Sequence, residues 1–378
     1  MKFLLLANTD WFLYNFRLDS ARRLAALGHQ VVLASPAGKY AARLEQEGFT
    51  WREVALERRG MNPLREAASI WGLLQLYRRE KPDLVHHFTI KCVLYGTLAG
   101  RLAGVPAIVN SLTGLGYVFT GQNSLRRTLA QGLVGLWYRV ALRKTWTIFE
   151  NPDDQQSFLQ RGWADPERSF VILGAGVDTG VFSPQPEPER AQPVVTLPSR
   201  LLWDKGVGEF VEAARLLRGR GCRAVFRLVG DADPGNPTCI PEETLATWRA
   251  EGIVEIEGWQ EQMPAVYADA NLICLPSYRE GLPKTLAEAA ASGRAIVSTD
   301  VPGCRHVVRD GENGLLAPAQ DAAALAERIE TLLTRPALRR QMAANGRKLA
   351  EEYFASPKIV AATLRVYAQA TENNQLLP

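Results

Sequence analysis

The chain has 378 residues, 47% hydrophobic and 22% charged, with a net charge of +4. That length exceeds one ordinary core and that composition excludes disorder, so about two globular domains are expected. Five scattered cysteines, never in C-x-x-C spacing, exclude a disulfide framework and a cysteine zinc site and fit a reducing compartment.

The N-terminal apolar run covers only residues 3–7 and then meets Asn8, Thr9 and Asp10. It reads as a buried strand rather than a secretory signal. No stretch reaches the roughly 18–20 apolar residues of a transmembrane helix, so a cytoplasmic location is expected. Residues 17–27 read as a helix closed by Gly28, with His29 structural, and 31–34 as the next strand. Further strands begin at Leu84-Val85 and cover 107–110. Strands alternating with helices predict a parallel sheet with right-handed crossovers.

Residues 124–146, SLRRTLAQGLVGLWYRVALRKTW, form the last notable stretch of the first half. Leu125, Leu129, Leu133, Leu136, Trp137 and Val140 recur at helical spacing, with Arg126, Arg127, Arg139, Arg143 and Lys144 at the two ends. Such a helix can lie in a bilayer interface; the same stripe can also pack on the sheet. Up to residue 175 there are 22 lysines and arginines against 14 acidic residues, a net +8, and the remainder carries −4. A basic first half suits anionic lipid, a phosphate-bearing substrate or nucleic acid, or is simply a solvated surface. No nucleic-acid motif accompanies it.

Residues 183–193, SPQPEPERAQP, hold four prolines in eleven positions and predict an exposed linker. The alternation then restarts: strands at 194–197, 225–229, 254–256, 272–275 and 295–298, and a helix at 208–217. The expected fold is α/β, two Rossmann-like domains facing a central cleft, with ligands at the carboxyl ends of the strands. The expected division is 1–173 for the first Rossmann-like domain, 174–193 for the linker and 194–355 for the second. A terminal helix and tail, 356–378, is open to packing back on the first domain.

The segment 276–293, PSYREGLPKTLAEAAASG, carries the most chemistry. A strand runs into a small-residue loop, Pro283 opens a helix, and Gly293 closes it. Free amides and the helix dipole make that terminus an anion site, with Lys284 and Thr285 supplying amides. Glu280 and Glu288, seven residues apart, suit sugar and ribose hydroxyls rather than a phosphate. The stretch PSRLLWDKGV adds Arg200 and Lys205 at a strand end, where two cations can neutralise a diphosphate.

With these residues in view, SRLLWDKGV, GWQEQMPAVYADANLICLPSYREGLPKTLAEAAASG and PGCRHVVRDGENGLL resemble the family-4 retaining glycosyltransferases of GT-B fold, as does GAGVDTGVF before them. In the first half, DLVHHFTIKCVLYG, RLAGVPAIVNSLTGLGYVF and ERRGMNPL resemble a bacterial subgroup. Its members build capsule and O-antigen units, and some add N-acetylgalactosamine to undecaprenyl-diphosphate sugars.

The resemblance implies that Arg200 and Lys205 hold the donor diphosphate, Glu288 the ribose and Glu280 the sugar ring. It puts Gly281 and Leu282 in the pyrophosphate loop. It puts Trp259 and Gln260 beside the base, although core packing explains Trp259 equally well. The implied reaction moves an N-acetylhexosamine or related sugar from a UDP-sugar to a polyprenyl-diphosphate-linked saccharide at the inner face of the cytoplasmic membrane. It calls for no cofactor and no metal. Alternatives of similar fold are a UDP-sugar 2-epimerase and an inactive nucleotide-sugar binder.

The chain departs from the family pattern twice. Where many relatives carry a glycine pair, the first loop reads NTDWFLYNF; where many carry a histidine near the donor sugar, VNSLTGLG places Thr113. His86 and His87 follow another strand, and His87 is either an active-site residue that compensates or a structural one. Arg58 and Arg59 are candidates for the acceptor diphosphate. Asp231-Ala232-Asp233 spells a D-x-D metal clamp, but outside the fold that uses it.

Overall fold

The computed structural model describes residues 1–57, 62–114 and 125–376, with the backbone alone for 125–131 and 133. The chain divides into two compact units, Met1–Ala175 with Pro357–Pro378, and Gly176–Ser356.

The first unit is a seven-stranded sheet in which every pairing is parallel. Its strands are β1 (Lys2–Leu6), β2 (Gln30–Ser35), β3 (Thr50–Glu53), β4 (Leu84–Phe88), β5 (Ala107–Leu112), β6 (Trp146–Phe149) and β7 (Ser169–Val171). Between them run α1 (Asp10–Phe12), α2 (Leu18–Ala26), α3 (Ala41–Gln46), α4 (Pro63–Glu80), α5 (Ile90–Ala103), α6 (Leu125–Leu142) and α7 (Pro152–Gln160). The order β3-β2-β1-β4-β5-β6-β7 reverses once, between β1 and β4.

Helices cover both faces, which is why the strands read as continuous apolar runs rather than alternating ones. Phe3, Leu5, Leu33 and Val109 point to one face, shared with α2 and the C-terminal helix. Leu4, Leu6, Val85 and Ile108 point to the other, under α4 and α5. Leu112 and Phe149 continue that second face under α5 and α6. Local chemistry sets the helix ends. Asn62 accepts the Leu64 amide with Pro63 in the first turn, and α4 stops where Lys81 turns left-handed at φ 47°.

The second unit repeats the plan with six parallel strands in the order β10-β9-β8-β11-β12-β13. They are β8 (Val194–Pro198), β9 (Val225–Val229), β10 (Glu255–Glu257), β11 (Leu272–Leu275), β12 (Ala295–Thr299) and β13 (Gly314–Ala317). The helices are α8 (Val207–Gly219), α9 (Glu242–Glu251), α10 (Met263–Asp269), α11 (Lys284–Ala291), α12 (Cys304–Val307), α13 (Ala322–Thr334) and α14 (Pro336–Leu349). Here the order reverses between β8 and β11. The chain then re-enters the first unit as α15 (Ser356–Thr371), where the Tyr367 hydroxyl pairs with His86 Nδ1 on β4 at 2.6 Å. Among the described residues no helix is long and apolar enough to cross a membrane.

The proline-rich run is exposed over most of its length, as its composition suggests, and it is also strapped to the second unit. Prolines remove amide donors and leave carbonyls in want of partners. Arg294, only 2% exposed, supplies them, donating to the Gln185 and Pro186 carbonyls at 2.8 and 3.3 Å. It also binds the Tyr267 and Ala268 carbonyls at the end of α10, at 2.7 and 2.9 Å. Arg347 donates to the Thr179 and Phe182 carbonyls, and Arg339 pairs with Glu187.

An Arg294→Ala variant strands four carbonyl acceptors at once, that of Tyr267 in the buried interior and the others partly buried. It should cost about 3 kcal/mol or more, seen as a lowered thermal midpoint, with Arg294→Lys recovering part of the loss. Unchanged melting of Arg294→Ala would show that the strap adds no stability.

Candidate active site

At the reversal of the second sheet, β8 and β11 are neighbours whose following helices leave in opposite directions, so their carboxyl-end loops flank a crevice. The loops touch through glycine. Gly206 sits at φ +70°, and a Cβ there would lie 2.0 Å from the Pro276 carbonyl. Gly230, after β9, is equally confined, with a Cβ position 2.1 Å from the Ser199 carbonyl. Larger residues at either position would push the loops apart.

These loops bring together most of the residues singled out in the second half. Lys205 donates to Glu280 Oε1 at 2.5 Å, and the buried Ser277 hydroxyl donates to the same oxygen at 2.7 Å. Arg200, half exposed, pairs with Asp233 at 2.7 Å. Gly281 is buried and Leu282 half-buried in the loop between Glu280 and α11. Pro283 precedes α11, so the Lys284 and Thr285 amides stand in a first turn that has no earlier helical carbonyl to serve. The Thr285 hydroxyl reaches back to the Pro198 carbonyl at the end of β8, at 3.3 Å.

Glu288 lies one turn into α11 and is buried. The Tyr267 hydroxyl donates to its Oε2 at 2.8 Å, and Lys284 Nζ stands 3.7 Å from Oε1. Burial raises the pKa of Glu288, and the Lys284 charge only partly offsets this. Ser277 and Tyr267 were not singled out from sequence. Ser277 lies only three residues before Glu280, but nothing marks its hydroxyl as a partner; Tyr267 is 21 residues from Glu288. The Lys284–Glu288 contact, by contrast, is an ordinary i,i+4 helix pair.

Trp259 is 53% exposed, which removes the core-packing alternative for its indole. It and the half-buried Gln260 follow β10, and the Trp259 amide donates to Asp231 Oδ1 at 3.0 Å. With Asp233 on Arg200, both acids of the D-x-D have protein partners. Among the described residues no group of three or more His, Cys, Asp or Glu side chains is arranged to hold a metal ion.

In the first unit both histidines of β4 are buried. His87 is fully buried: Asn110 Oδ1 lies 2.8 Å from its Nδ1 and the Tyr77 hydroxyl 3.0 Å from its Nε2. Gly96 is packed so closely that a Cβ there would sit 2.6 Å from the ring. Burial lowers the pKa of His87 to about 4, so it is a neutral core residue. His86 is also buried, between Tyr367 and Ser111, and is held well below the ordinary histidine range by burial. Thr113, in contrast, lines a hollow with Asn8, Leu56, Thr89 and Lys91, at the β1/β4 reversal of this sheet. The loop that lacks a glycine pair uses Asp10 instead, whose carboxylate accepts the Trp11, Tyr40 and Ala41 amides. Arg58 and Arg59 lie outside the described residues.

Comparison with known proteins matches both halves. Residues 192–335 match the model "Glycosyl transferases group 1", and residues 2–151 match "Glycosyl transferase 4-like". An N,N'-diacetylbacillosaminyl-diphospho-undecaprenol alpha-1,3-N-acetylgalactosaminyltransferase of Campylobacter jejuni is 26% identical over 374 residues, 96% of each chain. A UDP-Gal:alpha-D-GlcNAc-diphosphoundecaprenol alpha-1,3-galactosyltransferase of Escherichia coli is 26% identical over 70% of this chain and 69% of its own. Among solved structures, a glycosyltransferase from Rickettsia africae superposes with a TM-score of 0.78 at 17% identity, over 99% of both chains. A sucrose-phosphate synthase from Thermosynechococcus elongatus gives 0.80 at 20% identity, over 98% of both. The fold is that of the GT-B glycosyltransferases: two Rossmann-like domains, each on a parallel sheet.

The buried histidine gives a signed pH dependence. The His87 pKa is depressed in the native state, so the unfolded chain binds its proton more readily. Its contribution is intact above about pH 6.5 and is lost as the pH falls towards 4, up to about 3 kcal/mol. Thermal melts from pH 7 to 4.5 should fall more steeply for the wild type than for His87→Gln; parallel slopes would contradict the assignment.

Proposed function

We propose that this chain, which belongs to the group 1 and 4-like glycosyltransferases, moves a sugar from a UDP-sugar to a saccharide carried on polyprenyl diphosphate. The transfer retains anomeric configuration and uses no metal ion. The observation that carries this reading is the gathering of Lys205, Arg200 and the first turn of α11 around one sheet reversal, beside two carboxylates. A nucleotide diphosphate has the matching chemistry: anionic in the middle and hydroxylated at both ends.

Each group has a distinct task. The first-turn amides of α11 and the two cations take the diphosphate, whose negative charge grows as the glycosidic bond breaks. Glu288, fixed by Tyr267, accepts from the ribose hydroxyls. Glu280, fixed by Lys205 and Ser277, accepts from hydroxyls of the donor sugar. Gly281 and Leu282 let the pyrophosphate approach the backbone, and Trp259 and Gln260 border the base. No carboxylate is assigned as a nucleophile; the acceptor hydroxyl attacks from the leaving-group face of an oxocarbenium-like centre. Thr113 and its hollow belong to the acceptor side, and Arg58 and Arg59 to the acceptor diphosphate.

The acceptor class rests on the two relatives, whose names place sugars on undecaprenyl diphosphate. An N-acetylhexosamine or related donor sugar, and a product destined for a bacterial surface polysaccharide, follow from the same likeness. A lipid-linked acceptor also calls for a peripheral position at the inner face of the cytoplasmic membrane, with α6 as the first candidate for contact.

The test is mass spectrometry of lipid-linked product formed with a panel of UDP-sugars. Product should form, and should persist in EDTA. Loss in chelator with rescue by Mg²⁺ or Mn²⁺ would restore the D-x-D reading, and absence of product with every donor would remove the proposal.

Kinetics separate the roles. A ribose contact exists in ground and transition states alike, so Glu288→Ala should raise the UDP-sugar KM about tenfold or more. A cation on the leaving group gains most as charge develops, so Lys205→Ala should lower kcat by about 100-fold or more. Wild-type parameters in either variant would refute its role.

A further inference from the structure

We infer that the outer faces of α4, α5 and α6 together form a docking surface for an anionic lipid bilayer. The inference rests on the lipid-linked acceptor proposed above and extends the contact from one helix to three. These helices lie on the same face of the first sheet. Ile108 and Leu112, on one side of β5, sit respectively in the core under α4 and α5 and in the core under α5 and α6. Neighbours also touch directly: Tyr95 of α5 meets Trp137 of α6 edge-on at 6.3 Å, and Arg101 of α5 donates to the Val140 and Ala141 carbonyls of α6.

Their inner sides are spent on the core, yet their outer sides are apolar as well. Leu64 and Trp71 on α4, Leu98 and Leu102 on α5, and Leu136, Trp137 and Val140 on α6 are all exposed. They make up seven of the twelve large exposed hydrophobics among the described residues. Scattered single residues need no explanation, but this concentration on three adjacent helices does.

The charges on the same helices select the partner. Arg78 and Arg79 end the outer face of α4, Arg101 is exposed on α5, and Arg139, with Arg143 and Lys144 just beyond, is exposed at the end of α6. No carboxylate of the three helices is exposed: Glu66 is half-buried on Lys91, Glu80 is buried on Lys2 and Arg52, and α5 and α6 contain none. Leucine and tryptophan flanked by arginine, with the nearest exposed acid, Glu57, already paired with Arg65 of α4, suit an interface where apolar side chains enter the acyl boundary and cations meet lipid phosphates.

The test is flotation with vesicles of phosphatidylcholine alone or mixed with phosphatidylglycerol. Wild type should bind the anionic vesicles at low salt and lose binding as salt rises. A Leu64→Ser, Trp71→Ser variant on α4 and an Arg139→Glu, Arg143→Glu variant on α6 should each weaken binding roughly tenfold. Both alter exposed side chains, so their melting and their transfer to a short water-soluble acceptor should match wild type. If the α4 variant binds like wild type while the α6 variant does not, contact is confined to α6 and the three-helix surface is wrong. Equal binding to neutral vesicles, no binding to either, or a wild-type dimer abolished by these variants would overturn it. None of those results touches the sugar-transfer reading, which fails separately if no acceptor of any kind is glycosylated.

Discussion

An all-parallel sheet built with right-handed crossovers reverses its strand order only by sending the chain to the opposite face. At that reversal two adjacent strand ends are left with no crossover above them. Both sheets contain one such place, β1/β4 in the first and β8/β11 in the second. Most of the charged site of the second unit follows from the latter. The strand ends present Arg200 on one side and Glu280 on the other, the helix after β11 points its amino end at the gap, and Gly206 lets the two loops come within contact. The hollow lined by Thr113 marks the corresponding place in the first unit.

The residues gathered there are not chosen for stability. A carboxylate taken out of water is costly unless hydrogen bonds and counter-charges replace its hydration. Glu288 has the Tyr267 hydroxyl and a Lys284 ammonium at 3.7 Å, and its raised pKa means the compensation is incomplete. The sign is opposite to that of His87. The native state holds the Glu288 proton more tightly than the unfolded chain does, so this group's contribution declines as the pH rises through the carboxylate range. A fold selected only for stability would place an apolar residue here. A fixed, under-solvated carboxylate is the pattern expected where function opposes stability, and the ribose contact proposed for Glu288 fits it.

Much of the second unit was legible because its signals are local. A strand, a small-residue loop, Pro283 at the helix start and Gly293 after its end occur within one stretch, and each has a single physical meaning. What was not legible depends on distant partners. Tyr267 reaches Glu288 across 21 residues, and the carbonyls of the proline-rich run find Arg294 across 109. Composition alone made that run a spacer, because it reports missing donors and not who replaces them. The His86-His87 pair was ambiguous for a related reason. Two polar residues after Leu84-Val85 suit a binding edge beyond a strand as well as a strand interior with Tyr77, Asn110 and Ser111 waiting in the core, and only the three-dimensional neighbours decide between them.

Helix α6 shows how two sequence readings can both leave their mark on one element. Its apolar positions fit packing on the sheet and fit a bilayer interface, and periodicity alone treats these as rivals. In the fold they occupy different sides. Tyr138 and Leu142 are fully buried and join Leu112, Phe149 and Phe158 in the core, while Leu136, Trp137 and Val140 stay exposed on the other side. A surface helix needs one apolar stripe to be held in place. The inward residues supply it, so the outward ones answer to no demand of the fold. The same division recurs on α4, where Leu73, Leu74 and Tyr77 face the core and Leu64 and Trp71 face outward. A second apolar side on two helices of one layer is a cost in solubility that packing among the described residues does not repay, and the bilayer contact inferred above rests on that surplus.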